Sequence, residues 1–292
     1  MAATRTTKAG GGDPSTISAL PSRIVSLVAM AIVLSACGKG TGESAGNGGG
    51  GYGGGGEPRA SIPIPPVNGP YDWTIDPKDF VSTIDNPYFP LEPGTTLVYE
   101  GRSDDERQVV TIEITGQTEE ILGVTCVVVK DTVEVDGEVA EFTFDWYAQD
   151  VDGNVWYMGE DTKEYENGKV SSTEGSWEAG VNGALPGIIM TADPTVGLAY
   201  TQEHYANEAE DKARVIRVGD SVTVPFGSFD DVLVTEEWTP LEPDVRERKI
   251  YARGLGVVRI KTIQGGNELT TLTGAQLPGG SVGEAGMPCA EG

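Results

Sequence analysis

From Val124 to Glu166 the chain alternates β-branched or aromatic residues with polar ones, and glycine-containing dipeptides interrupt the alternation. A period of two marks a strand with two different faces. Similar runs recur on either side, and sustained helical periodicity is nearly absent. The pattern predicts an all-β fold, a single antiparallel domain over 80–275 curled as a meander into a barrel or half-barrel, with little helix.

Asp136-Gly137, Asp152-Gly153 and Asn167-Gly168 each suit a two-residue type I′ turn, which needs positive φ at both positions. Such turns fix the pairing register. Counting from them pairs Val135 with Glu138 and Cys126 with Tyr147, then Val151 with Asn154 and Tyr147 with Met158, then Glu166 with Lys169 and Met158 with Trp177. One face carries the row Cys126, Tyr147, Met158, Trp177, then Val128, Asp145, Glu160, Gly175, with Gln149 opposite Trp156. The other carries Val127, Val129, Phe142, Phe144, Trp146, Ala148, Val155 and Tyr157, and reads as the hydrophobic core. Neither face is simply wet, as expected of a covered or curled sheet. A bulge near Gly159 or Gly175 would shift this register.

In this register Asp145 faces Glu160, and like charges directly opposite each other are destabilising. A bound cation, a proton held on one carboxyl, or neutralisation by Lys130 would each resolve the conflict, and the residues favour Lys130, diagonal to Asp145. Asp150, Asp152, Asn154 and Asp161 place oxygens at positions one, three, five and twelve of a loop, a spacing that admits calcium. Val155 stands where an EF-hand needs glycine, and strands rather than helices flank the segment, so a plain β-turn explains the same residues. Calcium is the only cofactor the chain suggests.

Residues 24–34, IVSLVAMAIVL, form an apolar run interrupted only by Ser26, preceded by Arg23 and leading into LSAC, Leu34–Cys37. That order is a secretory signal, and the run is too short to span a bilayer, which takes about 20 residues. LSAC also resembles the bacterial lipobox, in which the cysteine becomes the lipidated N-terminus. The resemblance implies a lipoprotein signal peptide over 1–36 and a lipid anchor on Cys37. The long leader before Arg23 departs from that pattern and points to a true start downstream of Met1. Residues 38–56 hold twelve glycines in nineteen positions and 57–70 are proline-rich, so 37–70 reads as a flexible, then extended, tether and 276–292 as a flexible tail.

The chain carries a formal charge of −25; residues 1–36 hold Arg5, Lys8 and Arg23 against Asp13, a net of +2, which leaves −27 beyond them. Such a domain repels nucleic acid and anionic headgroups, while cations and basic partners remain compatible. Beyond Cys37 only Cys126 and Cys289 remain, and an exported protein could join them. Cys126 sits in an apolar strand and Cys289 in a Gly/Pro-rich tail, which favours two separate thiols.

The single histidine, His204, does not supply an ordinary zinc site or a convincing triad. The pattern G-x-S-x-G at Gly279–Gly283 lies in the tail rather than between a strand and a helix. Asp145 and Glu160 near two tryptophans resemble a sugar cleft in outline, but direct cross-strand partners sit at the short end of the roughly 5–10 Å that glycoside hydrolysis uses. The leading expectation is a membrane-anchored binding domain for a small amphipathic or cationic ligand, with Tyr147, Trp156, Met158 and Trp177 around Asp145 and Glu160. An envelope-directed hydrolase using Asp145 and Glu160, or a structural lipoprotein without a small ligand, are the alternatives.

The stretches DWYAQDVDGNVWYMGEDTKEYENG (145–168) and GSWEAGVNGALPGIIM (175–190) resemble a family of uncharacterised bacterial exported proteins and lipoproteins. NPYFPLEPGTTLVYEG (86–101) and VPFGSFDDVLVTEEWTPLEP (224–243) extend the likeness over most of the domain. The resemblance implies a secreted β-rich domain and assigns no reaction.

Overall fold

The computed structural model describes residues 61–71, 73–103 and 106–278. Its long strands are β1 (Thr96–Ser103), β2 (Glu106–Ile121), β3 (Val124–Val135), β4 (Glu138–Asp150), β5 (Val155–Glu166) and β6 (Leu185–Met190). They continue as β7 (Lys212–Val224), β8 (Gly227–Trp238), β9 (Arg246–Ala252), β10 (Gly256–Gln264) and β11 (Leu269–Gln276). The sheet runs β7-β8-β9-β10-β11-β1-β2-β3-β4-β5-β6, with antiparallel neighbours throughout. Its two ends meet through one short stretch of chain. Ala199–Thr201 pairs with β7, and Glu203–His204 pairs with β6. The edge strands are thereby joined and the expected barrel nearly completes itself, which removes the hazard of long unpaired edges.

The turns explain where the counted register holds. Asp136 and Gly137 both take positive φ, as do Asn167 and Gly168, and the pairs Val135 with Glu138 and Glu166 with Lys169 form as expected. The middle turn is longer by one residue. Asp150 N donates to Asn154 O (2.9 Å) and Gly153 N to Asp150 O (3.0 Å), so Gln149 pairs with Val155 and Ala148 with Trp156. Met158 then bulges out of the ladder: Tyr147 pairs with Tyr157, but Trp146 pairs with Gly159. The two offsets cancel, and Asp145 meets Glu160 as counted.

Other rows shift. A bulge at Ala140 moves Tyr147 from Cys126 to Val127. The strand after β5 breaks between Ser172 and Trp177, which brings Trp177 opposite Glu160 rather than Met158. The expected core face is also inverted in part: Phe142, Phe144 and Trp146 lie half-buried on the outside, with the first two rings edge to face at 4.9 Å. The inward side is set by pairing with apolar rows elsewhere. Leu97 on β1 meets Ile112, Ile112 meets Asp131, and Asp131 meets Thr143, so the polar side of β4 continues the buried row.

The barrel has unlike ends. Around the β4–β5 turn it is filled and plugged by residues 84–91. Ile84, Tyr88, Phe89 and Leu91 are buried there, and the Phe89 ring meets Tyr147 edge to face at 5.3 Å. Gln149 Oε1 accepts from both Asp85 N and Asn86 N at 2.9 Å, which fixes the plug to β4. Within the stretch read as a tether, residues 61–70 form no regular element and are hydrogen-bonded to the barrel. Ile62 N donates to Asp152 Oδ2 (2.6 Å) and Thr201 Oγ1 to Pro66 O (2.9 Å). The signal segment 1–36, Cys37, residues 38–60 and residues 279–292 with Cys289 lie outside the described residues. Cys126 is a buried free thiol.

Closure depends on Gly187 in β6, where an added Cβ would stand 2.2 Å from the Gln202 carbonyl oxygen. That contact is backbone against backbone and has no rotamer to relieve it. Gly187→Ala is expected to destabilise the domain by about 1–3 kcal/mol, the ordinary cost of overpacking, read as a lowered urea midpoint.

Candidate functional site

Away from the plug, the inward faces change from aliphatic to acidic. On β4 the inward positions are Glu141, Thr143 and Asp145; on β5 they are Glu160 and Thr162. Thr235 and Glu237 occupy β8, Glu247 and Lys249 β9, Thr262 β10, and Glu268 and Thr270 follow around the wall. Strand period two places residues i and i+2 on one face. Each of these threonines can therefore serve a carboxylate on the same side. Thr162 Oγ1 donates to Glu160 (2.6 Å), Thr235 to Glu237 (2.6 Å), Thr143 to Glu141 (3.2 Å), Thr270 to Glu268 (3.4 Å) and, across strands, Thr262 to Glu247 (3.3 Å).

Asp145 and Glu160, placed opposite each other, are 1% and 6% exposed. Tyr157 OH donates to Asp145 Oδ1 at 2.6 Å. Lys130 does not neutralise the pair. It lies on the outer side, bonded to Glu113 at 2.6 Å and over the Phe142 ring. It pairs with Phe144 because Asp145 pairs with Val129, so its side chain leaves by the opposite face.

Burial dominates the protonation of these groups. It pushes Glu141 up to about 7, and Asp145 up to about 7 against the opposing hydroxyl of Tyr157. Glu160 rises well above the carboxylate range through burial and then the charge of Asp145; Glu203 and Asp131 rise for the same kind of reason. Glu268 goes up to about 8 and Asp211 to about 6, the latter restrained by Lys249. Lys249 is the exception among charges. Burial alone would lower its pKa, but Glu237, Glu247 and Asp211 outweigh burial and raise it. Its ammonium lies 2.8 Å from Glu237 Oε2, with both side chains 7% exposed.

Part of this set lines a cavity of about 400 Å³, whose wall includes Glu160, Glu203, Asp211, Glu237, Glu247 and Lys249, together with Trp238. A separate cleft of about 310 Å³ lies at the plugged end between Trp73, Phe80 and Trp156.

The structure divides the residues singled out from the sequence. Asp145, Glu160, Tyr147 and Trp177 come together around Tyr157, whose ring stacks on Tyr147 (4.8 Å) and meets Trp177 edge to face (5.4 Å). Trp156 points to the other end, its Nε1 donating to Asp150 Oδ2 (2.9 Å). Met158 is the buried bulge residue. Tyr147, Trp156 and Met158 are at most 1% exposed and Trp177 is 4% exposed, so none presents its ring or thioether to the cavity as a surface.

The four oxygen ligands considered for calcium have separate tasks. Asp150 accepts from Asp152 N, Asn154 N, Asn154 Nδ2 and Trp156 Nε1, all at 2.9 Å, and so organises the β4–β5 turn. Asn154 Oδ1 accepts from Ala192 N, Asp152 from Ile62 N, and Asp161 pairs with Lys163. Among the described residues no group of three or more His, Cys, Asp or Glu is placed to hold a metal ion. His204 stacks on Tyr71 at 4.2 Å.

Glu141, Asp211, Glu237, Glu247 and Lys249 escaped sequence reasoning; Tyr157 was read as core alone, and Glu203 as a loop residue beside His204. A signal for part of this set was present: Glu-x-Thr at 141 and 160 and at 268, and Thr-x-Glu at 235, all within alternating runs.

No protein-family model matches the chain, and no curated protein sequence matches it. Two solved structures are similar. One is a Bacteroides fragilis protein, provisionally described as exported and of YmcC-like fold, at 16% identity and a TM-score of 0.39 over 63% of this chain and 96% of that one. The other is a Parabacteroides distasonis protein, provisionally described as a lipoprotein, at 12% identity and a TM-score of 0.37 over 65% and 99%. Similarity at these scores is too weak to assign a function.

The raised carboxyl groups give the stability a direction. A carboxyl with a folded pKa above its unfolded value of about 4 favours the folded state below that value and loses the advantage as pH rises through the folded pKa. For Asp211 (about 6), Glu141 and Asp145 (about 7) and Glu268 (about 8) the loss begins near pH 4 and is complete once each folded value is passed, by about pH 8. Thermal melts are therefore expected to show a falling midpoint from pH 5 to pH 9; a rising midpoint would contradict this account of the interior.

Proposed function

We propose that this chain is a lipid-anchored, extracytoplasmic binding domain whose acidic mouth takes a small organic ammonium ligand. The observation that carries the ligand class is Lys249. Its ammonium is already held within the cavity wall by Glu237, with Glu247 and Asp211 acting on it. Glu160, Glu203 and Asp211 border the same cavity, Glu203 and Asp211 within the field of Lys249, and most of the other groups acting on them are carboxyls. An ammonium arriving there would repeat with a ligand what Lys249 does within the chain. The volume, about 400 Å³, falls in the range of small-molecule sites. Charge-assisted N–H to carboxylate bonds are stronger than neutral ones, which supports a cation with N–H donors over a quaternary one.

The anchor rests on the LSAC sequence and Cys37. Lipid chains on that cysteine would supply the location, because several acyl chains give lasting attachment where one does not. Hydrolysis by Asp145 and Glu160 has less support. Asp145 is buried and does not border the cavity, so a glycan would have no path to both.

Two measurements test these parts separately. Calorimetric titration of the full chain in detergent with n-butylammonium chloride is expected to show saturable binding, with tetramethylammonium chloride much weaker. Glu203→Gln should weaken butylammonium binding by about tenfold, the value of one charge-assisted bond. Absence of heat with butylammonium would remove the ligand reading. Separately, Cys37→Ser is expected to leave the membrane fraction and keep a cooperative melt; retention in the membrane would remove the anchor.

A further inference from the structure

Glu141, Thr143, Thr162 and Glu160 form an unbroken chain of polar contacts across β4 and β5. The distances are 3.2 Å from Thr143 Oγ1 to Glu141 Oε1, 3.0 Å between the two hydroxyl oxygens, and 2.6 Å from Thr162 Oγ1 to Glu160 Oε2. Three hydrogen bonds need three hydrogens between heavy atoms. Two threonine hydroxyls supply two, since each carries a single O–H. With both glutamates ionised, one of the contacts would set lone pair against lone pair. One carboxyl proton completes the chain, and either glutamate can supply it.

We propose that Glu141 and Glu160 share one proton through Thr143 and Thr162, that it sits mainly on Glu160 in the empty site, and that it passes to Glu141 when an organic ammonium docks at Glu160. The transfer balances without a co-reactant. In the empty site the Glu160 O–H donates to Thr162, Thr162 to Thr143, and Thr143 to the Glu141 carboxylate. In the occupied site each of the three hydrogens has moved one bond along, Glu141 holds the acid proton, and Glu160 is an anion facing the cation. The net charge of the chain of groups is unchanged.

The surroundings bias the proton as required. Asp145 faces Glu160 directly and is the first charge acting on it, followed by Glu141 and Asp211; Glu203 and Asp131 act on it as well. The charges acting on Glu141 are Asp145 and its cross-strand partner Glu164, with Asp131 on β3 also coupled to it. All are acidic, and the Lys249 ammonium is bonded to Glu237 on the other wall. An empty site therefore favours a neutral Glu160. A second, independent feature marks the Glu160 end as the receiving end. The Trp177 indole N–H, directly across from Glu160 and 4% exposed, has no hydrogen-bond partner. Unmet polar groups of this kind are costly unless something else completes them.

The second half of the proposal rests on the ammonium reading; the shared proton does not. Both are tested by carboxyl-carbon NMR on the full chain labelled with ¹³C-glutamate, with Glu141 and Glu160 assigned through Glu141→Gln and Glu160→Gln. Just above the Glu141 midpoint, at about pH 8 without ligand, Glu160 should show the shift of an acid and Glu141 that of a carboxylate, and n-butylammonium chloride should exchange the two. Thr162→Val should abolish the exchange, and Thr162→Ser, which keeps the hydroxyl, should restore it. If Glu160 ionises on ligand addition while Glu141 stays put, the relay is overturned. If butylammonium moves no resonance, the ligand reading fails and the shared proton is judged on the titration alone. There Glu160→Gln should lower the Glu141 midpoint by about one pH unit or more with Thr162 or Ser at position 162, and leave it unmoved with Val. An equal response in all three overturns the shared proton.

Discussion

Taking a carboxylate out of water costs several kcal/mol unless a cation or a full set of donors replaces the lost hydration. This barrel does so on both walls of its mouth and supplies a cation, Lys249, to one of them. On the other wall Glu141, Asp145 and Glu160 have hydroxyl groups in place of positive charge, while Asp131 has the Thr132 N–H and leaves Oδ1 unbonded. The rest of the architecture follows from tolerating that arrangement. The neutral acid is the less costly form of each group in such surroundings, and the threonine two residues away supplies the hydrogen bond that water would otherwise give. The opposite half of the barrel offsets the remaining cost by conventional means: Leu97, Tyr99, Val110 and Ile112 are entirely buried, and Phe89 plugs the end.

How much was legible in the sequence depended on which physical quantity a residue encodes. Glycine at Gly137 and Gly168 encodes backbone φ, and both turns formed where the dipeptides placed them. Asp145 opposite Glu160 was also correct, although the turn between them was one residue longer than expected and Met158 restored the count by leaving the ladder. Trp177 had no such compensation, because Glu174, Gly175 and Ser176 lie in a break that a continuous strand count cannot register.

The inward face was harder to read. Phe142, Phe144 and Trp146 outrank Glu141, Thr143 and Asp145 on any hydrophobicity scale, yet the polar set points inward. Hydrophobicity is assigned residue by residue, whereas the fitness of a threonine and a glutamate for a dry interior is a property of the pair. The place of Glu203 and Asp211 in the mouth was hidden for another reason. They reach the mouth through the seam, where Gln202 N and Glu203 N both donate to the Asp211 carbonyl (2.7 and 3.2 Å), and nothing local announces which loop will close a barrel.

The docking of Ile62 on Asp152 has a directional consequence. Ser61 and Ile62 border the cleft at the plugged end, beside the β4–β5 turn, while Glu160 and Glu164 lie further along β5 toward its far end. A chain restrained from its N-terminal side is thus restrained at the foot of the barrel. The acidic opening therefore faces away from that foot, like the rim of a cup set on its base.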